Sequence, residues 1–331
     1  MKILITLPKG EIRNAFFHAE TAARVHAMGE VVWNDTEEQF TPEQLTHLLK
    51  GCQVCITGWS CPRLTAEVLA QAEDLQILAH TGGTVAPYIS DALYEKGVHV
   101  LSANDVYAES VAEGTIAYML CALRELPYYN DLVHNGGWRG SIITNEGLLD
   151  KTVGLVGYGA ITKHLLRMLQ PFHCRIKLFS NHLSKEACAA LGAEKASLPE
   201  IFSTCQIISL HNALTPQTYH SINRELLEQI PNNSILVNTA RGAVIDEAAL
   251  VQALSAKRFR AVLDVFEEEP LASDHPLRRM DNVLLIPHMA GPTGDRFKIS
   301  TEVLLDDISA FYAGKPMRHE ITRSGAERMT R

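Results

Sequence analysis

The sequence predicts an α/β protein built from two parallel sheets, each covered by helices. The prediction rests on two series of short apolar runs, rich in β-branched residues, that alternate with helical patterns along a chain of 331 residues. The connections between the runs are short, which favours parallel strands joined through helices. A glycine-rich turn follows the first strand of the second series. A chain of this length can hold two domains, each with its own core.

The first series covers roughly the first hundred residues. Thr41 and Gln44 form a capping-box pattern, and the proline after Thr41 suits the first position of a helix. Gly29 is expected to end an earlier amphipathic helix. The series predicts strands over residues 2–7, 31–33, 54–57, 75–79 and 98–101, and helices over residues 11–28, 42–50 and from about residues 65 and 86.

The second series begins at Thr152. An apolar helix over residues 110–126 and an arm with little periodicity, residues 127–147, precede it. A last helix over residues 295–311 is expected to return to the first domain, and the polar, basic tail 314–331 is expected to be frayed. The series predicts strands over residues 152–156, 175–179, 206–210, 234–238, 261–263 and 283–286, and helices over residues 185–191, 223–229 and 247–255.

Composition narrows the class of protein. Hydrophobic residues make up 46% and charged residues 21% of the chain, as in ordinary globular proteins. The net charge of −8 argues against nucleic acid or an anionic membrane as a partner, and no apolar run is long enough to span a bilayer. Seven scattered cysteines favour a reducing, cytoplasmic location. Cys52 and Cys55 form a C-x-x-C, followed by Cys61, but no second ligand pair stands at metal spacing, so core packing is favoured and no metal is expected.

The glycine-rich turn predicts a dinucleotide site. A strand ending near Val156 is followed by Gly157-x-Gly159 and by the helix that opens with Ala160 and Ile161. Glycine allows the backbone to approach a ligand, and the first turn of a helix offers unpaired N–H groups to a pyrophosphate. The third glycine of the usual fingerprint is Thr162, so a purely structural turn stays an alternative on this motif alone.

Further motifs follow in a characteristic order. After the strand that ends at Asn238 come Thr239-Ala240-Arg241-Gly242, then Asp264, then Glu269-Pro270, then Pro287-His288. Each alone has an ordinary structural explanation. Together they resemble the D-isomer-specific 2-hydroxyacid dehydrogenase family, over about residues 50–312. The supporting motifs are His80-Thr81-Gly82-Gly83-Thr84, Ser110-Val111-Ala112-Glu113 and His211-Asn212-Ala213-Leu214-Thr215-Pro216.

The resemblance implies a Rossmann dinucleotide-binding domain inserted into a flavodoxin-like substrate domain, with the active site in the cleft between them. The inserted domain is expected at residues 104–290, and the substrate domain at residues 1–103 and 291–331. By the same resemblance, Arg241 binds the substrate and His288 is the acid/base. Glu269 is the acidic partner of the histidine, and Asp264 holds the nicotinamide carboxamide. The other cofactor contacts that the resemblance implies are Thr115, His211, Asn212, Thr215, Thr239 and Ala240.

The chemistry of these residues suits a 2-keto acid. A planar guanidinium at Arg241 can bind a carboxylate through paired bonds. The peptide N–H groups of the loop Thr81, Gly82, Gly83 and Thr84 would hold its other side, and Trp59 flanks the expected pocket. His288 would supply the proton that the reduced carbonyl oxygen needs, while Glu269 favours the charged ring. A glutamate at position 269 argues against formate-type oxidation, for which the family has glutamine.

Cofactor choice depends on the end of the strand over residues 175–179. An NAD-selective site carries an acidic side chain there, and this chain has Ser180, Asn181 and His182 instead, with Lys185 nearby and Glu186 further on. Nothing in this segment repels a 2′-phosphate. We therefore expect use of NADPH, with NADH as a weaker or comparable cofactor.

The region of residues 110–147 predicts a homodimer, as in the family. Its large apolar side chains would be exposed on one subunit, namely Met119, Leu120, Tyr128, Tyr129 and Trp138. Trp138 follows two glycines and is expected either to reach the partner's active site or to serve only as an interface anchor. A nucleotide-sensing corepressor or scaffold of the same fold is the alternative to an enzyme, because such relatives keep the same arginine, glutamate and histidine.

Overall fold

The computed structural model describes residues 1–141 and 144–330 and divides the chain into two compact units. The first is formed by Met1–Ala108 and by the segment from Pro292 onward, and is called the split unit. The second, Glu109–Gly291, is continuous in sequence and is called the inserted unit.

The split unit contains a five-stranded parallel sheet in the order β2-β1-β3-β4-β5, which is the flavodoxin-like order. All residues of β3 and β4 are buried, as expected where helices cover both faces. The strands are β1 (Lys2–Ile5), β2 (Glu30–Trp33), β3 (Val54–Thr57), β4 (Ile77–His80) and β5 (His99–Ser102). The helices are α1 (Glu11–Phe16), α2 (Ala19–Met28), α3 (Pro42–Leu48), α4 (Asp91–Glu95), α12 (Phe297–Tyr312) and α13 (Arg323–Ala326).

The inserted unit contains a seven-stranded parallel sheet in the order β12-β11-β10-β9-β6-β7-β8. Counted from β6, this is the dinucleotide-binding order with one further strand at its edge. Its strands are β6 (Thr152–Val156), β7 (Arg175–Phe179), β8 (Ala193–Lys195), β9 (Ile207–Leu210), β10 (Ile235–Asn238), β11 (Arg260–Leu263) and β12 (Val283–Leu285). Helix α5 (Asn104–Leu123) leads into it, and α6 (Leu126–His134), α7 (Ala160–Leu169), α8 (Lys185–Ala190), α9 (Leu198–Thr204), α10 (Arg224–Gln229) and α11 (Glu247–Ser255) follow.

The two predicted sheets and the inserted Rossmann domain are confirmed, and several details of local structure are corrected. The capping box of α3 is present, with the Thr41 side chain accepting from Gln44 N and the Gln44 side chain accepting from Thr41 N. The helix predicted over residues 11–28 is two helices, because Phe17 leaves the helical conformation and packs edge-on against Trp33 at 5.2 Å. The sequence reasoning missed β8 and α9, both short.

The helix predicted from about Thr65 is a single 3-10 turn at Val68–Gln71, whereas the helix predicted from about Ala86 is a 3-10 turn at Ala86–Tyr88 followed, after a break, by α4. In the second case Pro87 removes an N–H donor. Three other 3-10 turns lie in the inserted unit, at Gln170–Phe172, Gly242–Val244 and Pro276–Arg279.

The arm and the apolar helix before it also differ from the prediction. Helix α5 begins at Asn104, six residues before the expected start at 110, and most of the expected arm's first half forms α6. Met119, expected on the surface, is fully buried in the core of the inserted unit. Ile142 and Ile143 of the arm lie outside the described residues.

The C-terminal tail (residues 314–330) is docked on the split unit, contrary to the prediction that it is frayed. Glu320 pairs with Leu101 beside β5, and Ile321 N donates to Val100 O at 2.7 Å. Ala326 of α13 is buried. The few apolar side chains of the tail, Ile321, Ala326 and Met329, pack against the core of the split unit and hold the segment in place. Helix α12 packs on α1 and α2, as expected. The last tail residue, Arg331, lies outside the described residues.

None of the helices described combines the length and apolar character needed to cross a bilayer.

Candidate active site

The first part of the candidate site is the turn between β6 and α7. Gly157 has φ +100°, and a Cβ there would lie 2.8 Å from Asn212 N and 2.9 Å from Asn212 Cα. Only glycine fits both constraints. Thr162 takes the place of the third fingerprint glycine without displacing the helix, because its buried side chain donates from Oγ1 to Gly157 O at 2.8 Å.

The start of α7 can accept an anion. Gly159 is the N-cap and has no side chain to cap the helix, and within the described part of the chain no side chain accepts from Ala160 N or Ile161 N. A helix of this length, Ala160–Leu169, carries a partial positive charge at that end.

The end of β7 places four polar residues beyond the sheet. Asn181, His182 and Lys185 are exposed, whereas Ser180 is 6% exposed and its Oγ accepts from His182 N at 3.2 Å. Glu186 lies in the first turn of α8, where backbone and Ser184 hydrogen bonds lower the pKa of its carboxyl group. The serine therefore shapes this turn in addition to any contact with a ribose.

The adjacent strands β10, β11 and β12 end at the same edge of the sheet, and their following residues form the second part of the candidate site. Asn238 shapes the first turn, since its side chain accepts from Ala240 N and donates to Arg241 O, both at 3.0 Å. A Cβ on Gly242 would lie 1.8 Å from the carbonyl carbon of Phe266. This close approach brings the turn that carries Arg241 against the segment after β11.

Arg241 is partly buried, and its Nη1 donates to Ala240 O at 2.6 Å. Burial lowers the pKa of its guanidinium, and the charge of Glu269 opposes that effect. Thr239 is nearly buried, with its Oγ1 3.1 Å from Oγ1 of Thr115 on α5. No other hydrogen bond of the Arg241 guanidinium is found among the described residues, so its remaining N–H groups could bind an anion.

His288 and Glu269 form a direct pair, with Nδ1 of the ring 2.7 Å from Oε2 of the carboxylate. Glu269 Oε1 accepts from Phe266 N at 3.0 Å, so both carboxylate oxygens have a partner. The His288 side chain is half exposed, and among the described residues its Nε2 has no hydrogen-bond partner. A partly exposed contact of this kind contributes little to stability.

Asp264 fixes the turn on which His288 stands. The backbone of His288 has φ +53°, and its N–H donates to Asp264 O at 2.9 Å. The buried Asp264 carboxylate accepts from Met289 N at 2.7 Å and from Ala290 N at 3.0 Å. Burial raises the pKa of this carboxyl group, against the opposing effect of these bonds. Sequence reasoning gave Asp264 only a cofactor contact and missed Tyr118, whose hydroxyl donates to Oδ1 at 3.4 Å.

The split unit contains the predicted loop of residues Thr81–Thr84, called loop 81–84, directly after β4. Thr81 N donates to Thr57 O at 2.9 Å, which fixes the start of the loop. Trp59 is 39% exposed and lies edge-on to Phe16, Tyr107 and Phe297, with ring centroids 5.5, 6.4 and 5.8 Å apart.

Each unit also has a buried histidine near its glycine turn. His80 Nδ1 lies 3.0 Å from Thr57 Oγ1, and His211 Nε2 lies 2.8 Å from Ser209 Oγ. Burial lowers the pKa of each imidazole to about 3, so both rings are neutral at physiological pH. His211 can therefore form hydrogen bonds as a neutral group, but it provides no positive charge to pair with the phosphates of a cofactor.

The residues around Gly157 fit a nicotinamide dinucleotide. The glycine permits close approach, α7 offers free N–H groups, and within the described chain His211 Nδ1 and Asn212 Oδ1 are buried without a hydrogen-bond partner. Thr215 N and Oγ1 are bonded to Thr218 Oγ1 at 2.8 and 3.1 Å, so this residue closes its own turn. No group of three or more His, Cys, Asp or Glu among the described residues could hold a metal ion.

The cysteines of the C-x-x-C motif pack in the hydrophobic core of the split unit. Cys52, Cys55 and Cys61 are free and buried in the core of the split unit, and burial raises the pKa of the Cys61 thiol to about 12. The prediction of core packing for this motif is confirmed.

Comparison with known proteins agrees with this geometry. The family model described as D-isomer specific 2-hydroxyacid dehydrogenase, NAD binding domain, matches residues 116–290. The glyoxylate reductase of Aeropyrum pernix is 33% identical over 261 residues, covering 76% of this chain and 78% of that protein. The chain therefore belongs to the D-isomer specific 2-hydroxyacid dehydrogenase family, as the sequence motifs suggested.

Two further comparisons cover nearly the whole chain. The D-3-phosphoglycerate dehydrogenase of Methanocaldococcus jannaschii is 32% identical over 317 residues, 95% of this chain but only 58% of that relative, so the chain spans little more than half of its length. The crystal structure of a phosphoglycerate oxidoreductase from Rhizobium etli has a TM-score of 0.81 at 25% identity and covers 98% of this chain and 99% of its own.

Proposed function

We propose that this protein is an NAD(P)-dependent oxidoreductase that interconverts a small 2-keto acid and its D-2-hydroxy acid. The observation that carries the proposal is the 2.7 Å contact between His288 Nδ1 and Glu269 Oε2, on a ring whose other nitrogen is open. Family membership and the anion-binding start of α7 support it. The named enzymes among its relatives favour catalysis over the corepressor alternative.

In the proposed reaction a bound nicotinamide supplies or accepts the hydride at the substrate's C2. His288 donates a proton from Nε2 to the carbonyl oxygen as negative charge develops there, and takes it back in the reverse direction. Glu269 stabilises the positive charge on the ring through Nδ1 and fixes the tautomer of the neutral ring. Arg241 binds the carboxylate and polarises the carbonyl, which a guanidinium does through several directed bonds.

The other roles proposed for residues follow from their hydrogen-bonding groups. The N–H groups of Gly82, Gly83 and Thr84 bind the substrate carboxylate, and Trp59 contacts its side chain. Asp264 both positions His288, through the bonds described above, and accepts from the nicotinamide carboxamide. The cofactor is held by the backbone of α7's first turn, by Thr115 of α5 and by residues that follow the strands, which are His211, Asn212, Thr215, Thr239 and Ala240.

For the cofactor we propose use of NADPH, with NADH as a weaker or comparable alternative. The segment after β7 contains no acidic side chain before Glu186, so a 2′-phosphate meets no repulsion there. Exposed Asn181, His182 and Lys185 provide donors, of which the lysine carries a full charge at neutral pH.

We further propose a homodimer formed through α5, α6 and the arm that follows. Tyr128 is 60% exposed and Trp138 76% exposed, and Leu126 and Val133 are exposed beside them. An apolar surface of this kind is typical of an interface. Sedimentation of a 36.6 kDa species at micromolar concentration would contradict the dimer. A Trp138→Ala variant that changes only stability, and not the ranking of substrates, would leave this residue as an anchor alone.

The proposed activity is tested with a panel of 2-keto acids: glyoxylate, hydroxypyruvate, pyruvate, and branched and aromatic analogues, each with NADPH and with NADH. We expect at least one acid to be reduced, with loss of nicotinamide absorbance. Arg241→Ala should raise KM as well as lower kcat, whereas His288→Ala should mainly lower kcat. If no acid is reduced with either cofactor, the oxidoreductase proposal fails and the scaffold hypothesis gains.

A further inference from the structure

Loop 81–84 has behind it a polar side chain that the proposed mechanism does not use. Ser102, at the end of β5, is 1% exposed, and its Oγ lies 2.7 Å from Gly83 O and 3.2 Å from Gly82 O. A hydroxyl has one proton, so the two carbonyl groups share it. Both carbonyls are thereby turned toward Ser102.

The N–H groups of the same loop have no such partner. Among the described residues, the peptide N–H groups of Gly82, Gly83 and Thr84 donate no hydrogen bond to a backbone or side-chain acceptor. In a planar trans peptide the N–H points opposite to the C=O of the same unit. Since the Gly82 and Gly83 carbonyls face Ser102, the N–H groups of Gly83 and Thr84 face away from it, where they are free to bind an anion.

Ser102 is in turn bound to the C-terminal tail. Its own N–H donates to His319 O at 3.1 Å. At the far end of the loop, Thr84 Oγ1 donates to Thr330 O at 2.8 Å. The tail therefore contacts the loop twice, once through Ser102 and once directly, although its nearest residues are more than two hundred positions away in the sequence.

One carboxylate anchors this part of the tail. Asp307 of α12 is 3% exposed, and its oxygens accept from Arg318 N at 2.9 Å and from His319 N at 2.7 Å. His319 Nδ1 lies 2.9 Å from the same carboxylate. Asp307 thus holds the residue whose carbonyl binds Ser102, without contact to loop 81–84 in the hydrogen bonds described.

We propose that Ser102 is a positioning residue for carboxylate binding, and that the tail, held by Asp307, fixes the position of Ser102 relative to loop 81–84. Ser102 fixes the carbonyls of loop 81–84 so that the N–H groups of Gly83 and Thr84 converge on one anion. The identity of that anion as a 2-keto acid carboxylate rests on the proposed function. The orientation of the peptide groups does not.

The test compares Ser102→Ala with Ser102→Thr, which keeps the hydroxyl. Ser102→Ala should raise KM for the best 2-keto acid about tenfold and change kcat and the KM for NADPH less than about twofold, because a binding interaction shared by ground and transition states is lost. Ser102→Thr should restore KM. Ser309→Ala is the matched control, since it removes a hydroxyl bond to Leu305 O at 2.7 Å on α12 of the same unit, and it should leave KM unchanged.

Asp307→Asn tests the role of the tail from a distance. Asparagine keeps one acceptor oxygen but replaces the other with an NH₂ group, so one of the two tail N–H groups loses its acceptor, and KM for the keto acid should rise several-fold in this variant too. A loss of thermal stability in Ser102→Ala and Asp307→Asn with unchanged KM would overturn the proposal, because a purely structural role predicts that result.

A crystal structure of Ser102→Ala gives a readout that does not depend on activity. We expect the Gly82 and Gly83 peptide planes to reorient when the hydroxyl is absent. Peptides in unchanged orientation would overturn the inference even in an active enzyme. Conversely, a wild-type protein that reduces no 2-keto acid but whose peptides reorient in the variant would retain the inference and refute the proposed substrate.

Discussion

The two glycine loops of this molecule, Gly157–Ile161 in the inserted unit and loop 81–84 in the split unit, both leave peptide N–H groups free but by different means. The first leads directly into the ten-residue helix α7, and the N–H groups in the first turn of any α-helix have no acceptor within the helix. The second leads into a 3-10 turn containing Pro87, and the Ser102 hydroxyl behind it donates to two of its carbonyl groups, which we propose turns its N–H groups outward. A helix start can be recognised in a local sequence, whereas a side chain on another strand cannot.

The largest effect should come from adding a methyl group at Gly157 of the first loop. Gly157→Ala meets the Asn212 backbone at positive φ, so we expect the inserted unit to lose about 2–4 kcal/mol of unfolding free energy. The control is Gly159→Ala, where a Cβ meets nothing within 4 Å; because Gly159 is the N-cap of α7, this change should cost about 1 kcal/mol or less. Denaturant unfolding of both variants measures this, and equal stabilities would refute the close approach.

The buried histidines beside the loops should make both units sensitive to acid. In the unfolded chain an imidazole takes up its proton near pH 6.5, whereas His80 and His211 do so at about 3 in the native protein. Between these values the unfolded state binds more protons. The contribution to stability is therefore complete above about pH 6.5 and is lost as the pH falls, by about 1.4 kcal/mol per unit for each histidine.

Unfolding measured at pH 7.5 and at pH 5.0 checks this dependence. His80→Gln should reduce the loss of stability between the two pH values by about 2 kcal/mol. His47→Gln, a change at an exposed histidine, should not reduce it. If His80→Gln has the same pH slope as the wild type, His80 is not the buried neutral group described.

Cofactor selection should show the smallest effect, because it depends on exposed side chains after β7. Ser180→Asp should lower kcat/KM for NADPH about tenfold, or about 1.4 kcal/mol, and spare NADH. Since Ser180 is buried and bonded to His182 N, Asn181→Asp serves as the exposed comparison at the neighbouring position. A strong wild-type preference for NADH, unaffected by Ser180→Asp, would show that other residues select the cofactor.

Sequence reasoning found what is encoded locally or by motif. The alternation of apolar runs gave both sheets, and adjacent parallel strands explain why Arg241, Asp264 and His288 gather at one edge of a sheet. It could not find the docked tail, because the pairing of Glu320 with Leu101 depends on contacts distant in sequence. Likewise Met119 lies in a helix whose apolar residues are spread around its whole circumference, so periodicity does not reveal the buried face.

Other misses concern residues whose role is to hold another residue. Tyr118 and Ser102 occur in segments without a motif, and only their distances to Asp264 and to the glycine carbonyls reveal them. Phe17 looks like a helical residue in sequence, but its packing on Trp33 ends the helix. In each case tertiary contact decides between local alternatives of similar energy.

The central claim, hydride transfer to a 2-keto acid with His288 as the proton donor, is tested most directly with NADPH deuterated at the transferable C4 position. The wild-type protein should place deuterium at C2 of the D-2-hydroxy acid, and His288→Gln should slow this transfer by roughly 10²- to 10⁴-fold while the cofactor still binds. Product without deuterium at C2, product of the L configuration, or transfer by His288→Gln at the wild-type rate would contradict the account.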